Sequence, residues 1–128
     1  MAFSSFEMSA LAEFADIYDE QATGLAAQLE AAQFVKRTNT GKGFFTDLAV
    51  DRSRAPVRCT SPIGGLTARP GGMVEGIDLL LFLKDGYVSL LEGFSVAGED
   101  TSSIDFASLP SLPITIRGRT LPYLTFDD

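Results

Sequence analysis

Polar and apolar positions change rhythm along the chain, and each rhythm predicts a different element. From Met8 onward apolar or small residues recur as Met8, Leu11, Ala15, Tyr18, Ala22, Leu25, Leu29 and Ala32, the alternating steps of three and four that put a stripe on one helix face. Ser4-Ser5-Phe6-Glu7 reads as a capping box starting that helix near Ser5, with Phe3 placed to staple onto Met8. Gly24 interrupts the stripe at a cost of ~1 kcal/mol in a helix interior, which predicts a break at Thr23-Gly24 with Thr23 capping a second, short helix. The stripe is expected to face the core. A coiled coil is the competing pattern, weakened by its alanine-rich seam.

After Ala32 the rhythm shortens. QFVKRTNTGKGFFTDLAV reads as two β-prone runs around Asn39-Thr40-Gly41-Lys42-Gly43, a turn built from residues that tolerate positive φ. DRSRAPVRCTSP, residues 51–62, has no periodicity and two prolines, and predicts a loop with at most a short extended piece at Val57 to Cys59. Ile63 to Arg69 can form another strand before Pro70-Gly71-Gly72 turns the chain.

GIDLLLFLKDGYVSLLEGF, Gly76 to Phe94, is the most apolar stretch, but Lys84-Asp85 ends it far short of the ~20 residues a membrane span requires. Asp85-Gly86 between two β-prone runs is a strong hairpin signal, and the near-continuous apolar run before it predicts a central strand covered on both faces. A two-residue turn pairs Lys84 with Tyr87 and sets Asp78 against Gly93; a three-residue loop sets Asp78 against Glu92. The first is favoured because like charges opposite each other destabilise a sheet. Beyond Phe94 the chain reads as irregular, anchored by Ile104, Phe106, Leu109 and Leu112, with a helical turn near Ser103 to Ser108, a last strand at Ile114 to Arg117, and LPYLTFDD packing its aromatics.

Charge alters this picture more than composition does. The 128 residues carry a net charge of −7, distributed in blocks: −6 over residues 1–35, which have no Lys or Arg, +5 over 36–72, and −6 over 73–128. An acidic chain is a poor match for nucleic acid, whose binding rests on Lys and Arg neutralising phosphates. Histidine is absent, which removes the commonest general base and metal ligand and every Ser-His-Asp or Cys-His nucleophile. The one cysteine, Cys59, can form no internal disulfide and anchor no conventional zinc site, so no cofactor or metal is expected. MAFSSFEMSALAEF has neither a basic nor an apolar leader region, which predicts a cytoplasmic protein.

Three sets of residues are candidates for function. Asp78 and Glu92 could act as paired carboxylates or hold Mg²⁺ with water and a phosphate, against the plainer reading of strand-end acids that are exposed or paired with a nearby Arg or Lys. Arg52, Arg54, Arg58 and Arg69 could form a pocket for a carboxylate or phosphate, against the plainer reading that they relieve repulsion among helix acids such as Glu13/Asp16 and Asp16/Glu20. Gly41-Lys42-Gly43 lacks the spacing of a phosphate-binding loop. The acidic helix surface of Glu13, Asp16, Asp19, Glu20 and Glu30 could dock a basic protein by electrostatic steering, against the plainer reading of a solvated face.

GKGFFT (Gly41 to Thr46) and DGYVSLLEG (Asp85 to Gly93) resemble paired segments in a group of small bacterial proteins with a GxGFFT-like segment followed by DGxxxxLEG, over roughly residues 25–95. The resemblance implies a compact α+β protein of immunity or accessory type and names no reaction.

The expectation is one domain over residues 1–128, of α+β class, with N-terminal helices on a mostly antiparallel sheet of about four to six strands and the Ile77 to Phe94 hairpin at its centre. Its first functional expectation is a non-enzymatic interaction protein meeting a basic partner through Glu13, Asp16, Asp19 and Glu20. The alternative is a small-ligand or anion-binding protein using Arg52, Arg54, Arg58 and Arg69 with Asp78 or Glu92. A homodimer through sheet edges or the heptad-like stripe is a third.

Overall fold

The computed structural model describes residues 2–116. Two helices, α1 (Ser5–Ile17) and α2 (Leu25–Ala31), precede six strands: β1 (Gln33–Asn39), β2 (Gly43–Ala49), β3 (Ile63–Ala68), β4 (Ile77–Lys84), β5 (Tyr87–Ser95) and β6 (Thr115–Ile116). The strands form one antiparallel sheet in the order β1-β2-β5-β4-β3-β6, with the β4–β5 hairpin at its centre. This is the α+β architecture expected from the hydrophobic pattern. The helical turn lies at Phe106–Ser108. The expectations for Arg117 and LPYLTFDD lie outside the described residues.

The capping box forms as read: Glu7 N–H donates to Ser4 Oγ at 3.0 Å and Ser4 N–H to Glu7 Oε1 at 2.7 Å. The staple does not follow, because Phe3 stacks edge-on against Phe34 of β1 at 5.7 Å and Met8 stays 61% exposed. Helix α1 stops at Ile17, well before the expected break. Thr23 is not the cap of α2; Gly24 holds that position at φ +92°, a conformation open to glycine and strained for threonine. The extended piece expected at Val57 to Cys59 is not a strand, although Val57 is buried and its N–H donates to Gly86 O at 2.7 Å.

The buried face of α1 also differs from the expected stripe. Phe6, Ala10 and Phe14 are fully buried, with Phe6 edge-on to Phe44 of β2 and Phe14 tilted against Tyr18. Tyr18, Ala22, Leu25 and Leu29 of the expected stripe are buried. Leu11 is buried with them and Ala15 is half-buried against the core, so of the helix α1 stripe Met8 alone stands out, 61% exposed. The helix therefore buries a wider apolar arc than the expected stripe, because the large rings of Phe6 and Phe14 enter the core beside Leu11.

Within the hairpin, Asp85 (φ +55°) and Gly86 (φ +85°) make the two-residue turn, and Lys84 pairs with Tyr87. Farther along, Phe82 pairs with Leu90 while Leu83 pairs with Val88, so Ser89 is an extra residue on β5. That bulge moves Asp78 opposite Phe94, which corrects both expected registers. Gly93 faces the helices, where the ring of Phe44 takes the space a side chain would occupy. The opposite sheet face alternates with the core and carries half-buried Phe45, Leu80, Phe82, Leu90 and Phe94 around Glu92.

Candidate functional site

Glu7 is the most deeply placed charge. It is 1% exposed and accepts from Arg37 Nε at 2.8 Å and Arg37 Nη2 at 2.5 Å as well as from Ser4 N–H; the Thr46 hydroxyl also donates to it. Arg37 reaches it from β1 with its guanidinium 4.7 Å from the Phe34 ring centre, and the carboxylate raises the arginine pKa further. Sequence reading found the cap and missed its second role, because Arg37 is thirty residues away and Thr46 looks like any strand threonine. The cluster joins α1 to β1 and β2. With every carboxylate lone-pair direction engaged, it is an anchor.

The acids of the first charge block are arranged otherwise. Glu13 is half-buried, Asp16 lies in the last turn of α1, and Asp19 and Glu20 follow in the exposed connection to α2. Among the described residues no Lys or Arg comes within ion-pair distance of any of them; the ion pairs there are Arg37–Glu7 and Arg52–Asp85. The last turn of α1 has no basic residue. Negative charge at a helix C-terminus opposes the macrodipole and costs roughly 0.3–1 kcal/mol per group. None of Arg52, Arg54, Arg58 and Arg69 forms an ion pair with these acids, although Arg54 shares a small hollow with Glu30 of α2.

Those four arginines do not converge. Arg52 sits beside the hairpin turn, 4.0 Å from Asp85 and stacked over Tyr87, while the Tyr87 hydroxyl donates to the backbone carbonyls of Arg52 and Arg54. Arg58 is exposed on the same loop. Arg69 lies beyond β3 at the opposite end of β4, a separation of about 25 Å for an eight-residue strand. There it shares an open hollow with Glu75, Asp78, Thr67 and Thr115, and its charge is drawn toward Glu99.

Asp78 and Glu92 share the outer sheet face as diagonal neighbours, since Asp78 pairs with Phe94 and Leu80 with Glu92. Burial among apolar neighbours raises the Glu92 pKa. Asp78 is 6% exposed. Among the described residues no three His, Cys, Asp or Glu side chains are grouped to hold a metal ion, and no helix is long and apolar enough to cross a membrane. Of the sequence's ligand candidates the fold thus brings together Asp78 with Arg69 and Asp78 with Glu92, and separates Arg52 and Arg54 from Arg69.

Other polar groups close the fold. Gln28, 1% exposed, donates to Ala55 O and Gly86 O and accepts from Val88 N–H, pinning α2 to the hairpin end. The Glu99 carboxylate accepts from the N–H groups of Val74, Glu75 and Gly76, and those donors lower its pKa. Hydroxyl contacts lower the Asp100 pKa, chiefly through Ser102, which makes it a weak base. Burial pushes the Tyr18 phenol up to about 12, and its hydroxyl donates to Gly64 O.

A groove between the helices completes the surface. It encloses about 460 Å³ and is lined by Phe3, Met8, Leu11, Ala12 and Ala15 on one side and by Ala26, Leu29, Glu30 and Ala32 on the other. The Met8, Leu11, Ala12 and Ala15 side of α1 is one of its walls. No signal in the sequence separated this wall from the core face, since both are apolar at helical spacing.

No family model, curated protein or solved structure matches this chain.

Proposed function

We propose that the protein is a non-enzymatic cytoplasmic interaction protein, of accessory or immunity type, that meets a basic protein through Glu13, Asp16, Asp19 and Glu20. The observation that carries this reading is the set of uncompensated acids at the C-terminal end of α1, where the helix dipole and mutual repulsion both oppose them. A basic partner would neutralise that field, and steering by it raises association rates by roughly 10- to 1,000-fold at low ionic strength. The dispersed arginines lend the anion-pocket reading less support, because only Arg69 lies near Asp78.

The test is capture of partners from lysate of the native cells on the immobilised protein, at low salt and at about 0.5 M salt, where screening shortens to a few Å. A basic protein held at low salt, shed at high salt, and lost by the combined variant Asp16→Lys, Asp19→Lys, Glu20→Lys is the expected result. Capture indifferent to salt, or unchanged in that variant, refutes the reading. Because the replaced groups are exposed, the variant is expected to fold and to melt at or above the parent temperature.

A further inference from the structure

We propose that the groove between α1 and α2 is the seat of an amphipathic helix of the partner, with an apolar stripe in the groove and Lys or Arg along its flanks. This rests on the acidic docking reading and adds the shape of what docks. The groove is floored by larger apolar side chains, Phe3, Leu11 and Leu29, while Ala12, Ala15, Ala26 and Ala32 allow close approach and Met8, 61% exposed, can adjust its side chain to what arrives.

Three observations select that occupant. Among the described residues Glu30 is the one charged residue in the groove lining, so a small ligand would lack the convergent polar groups that fix its orientation. A second copy would bring one acidic groove rim, with Glu30 and Asp16, against another on chains of net charge −7, and the neighbouring edge strand β1 carries Lys36 and a bulge at Val35, both of which discourage edge-to-edge pairing. Asp16 follows Ala12 by one helical turn, so the groove wall and the acidic end of α1 are continuous. An apolar trough with acidic ends matches an apolar stripe with basic flanks.

The experiment selects binders from a displayed library of random 16-residue peptides on the intact protein, then measures the enriched peptides by fluorescence anisotropy. The expected result is enrichment of apolar residues at i, i+3 or i+4, and i+7 with Lys or Arg beside them. Ala12→Trp, which fills the groove, and Met8→Ser should each weaken those peptides by about tenfold or more. Both positions lie at the surface, and unchanged circular dichroism and melting temperature verify the fold. Asp16→Lys should weaken binding in a salt-dependent manner. Basic peptides without helical spacing, insensitive to Ala12→Trp but lost in Asp16→Lys, overturn the groove proposal and leave the acidic reading standing. Enriched peptides of alternating extended pattern, or none, also overturn the groove proposal. Binding lost in Ala12→Trp but indifferent to Asp16→Lys and salt overturns the basic-flank part together with the acidic reading.

Discussion

Removing the guanidinium of Arg37 while keeping its apolar stem, as in Arg37→Met, leaves the Glu7 carboxylate at 1% exposure without its two cationic donors. Breaking a buried ion pair from one side typically costs ~3–5 kcal/mol. Ser4 N–H and the Thr46 hydroxyl still donate to Glu7, which places the expected loss near the lower end, about 3 kcal/mol. With a urea m-value of about 2 kcal/mol/M, the unfolding midpoint should fall by about 1.5 M. The diagnostic comparison is the double variant Glu7→Gln, Arg37→Met. An amide fills the same space with no buried charge, its oxygen can still accept from Ser4 N–H, and the double variant should be about 1–2 kcal/mol more stable than Arg37→Met alone. Arg52→Met is the control, because Arg52 and Asp85 are 4.0 Å apart with side chains 58% and 75% exposed; it should cost less than about 1 kcal/mol. A loss under about 1 kcal/mol in Arg37→Met, or a double variant less stable than the single one, would refute the claim that an unsolvated charge is what the pair protects.

Gly93→Ala would bring a methyl carbon within 2.5 Å of Phe44 Cε1 and 2.9 Å of Ile77 Cδ1, and should destabilise by ~1–3 kcal/mol in chemical denaturation through overpacking. Gln28→Ala removes all three contacts that tie α2 to Ala55, Gly86 and Val88, and should cost about 2–3 kcal/mol and open residues 51–62 to limited proteolysis; an unchanged digestion pattern would mean that the loop is held elsewhere. Glu92 has a folded pKa raised by burial, so its protonation stabilises the fold fully below the ordinary glutamate value of about 4.3 and that contribution is lost as pH rises through the raised value. Glu92→Gln should therefore raise the melting temperature at pH 7 relative to the parent, and the difference should disappear below about pH 4.

Elements whose signals are local were legible in the sequence. The Ser4 cap, the Asp85-Gly86 turn and the change from helical to alternating rhythm after Ala32 each depend on residues within a few positions of one another. The misread features depend on distant groups. Ser89 bulges from β5 and moves Asp78 onto Phe94, and nothing in DGYVSLLEG marks Ser89 apart from Leu90. The choice of Phe6 over Met8 for the core follows from Phe44 waiting on β2. Charge blocks showed which segments carried acids and bases, but the blocks suggested that the arginines of residues 36–72 would answer the helix acids. Arg37 alone of those cations enters a buried ion pair, and its partner is the capping glutamate.

The two features assigned to recognition share an energetic character. Asp16, Asp19 and Glu20 sit where the α1 dipole is negative, and Met8 is exposed on a wall of alanines beside residues that are fully buried. Neither arrangement serves the contacts that hold the helix in place: Phe6 meets Phe44 of β2, Phe6, Ala10 and Phe14 are fully buried, and Glu7 joins the helix to β1 and β2. A lysine in the last turn of α1 would favour the isolated chain by a few tenths of a kcal/mol to about 1. Exposed groups that oppose local stability without serving the core are the ones for which an external partner supplies a physical reason. They fall on the open flank of α1, at Met8, and at and just beyond its C-terminal end, at Asp16, Asp19 and Glu20. On the proposed reading the helix separates its duties by face, and substitutions on the open flank should alter binding while leaving the Glu7 anchor and the Phe6 contact to Phe44 intact.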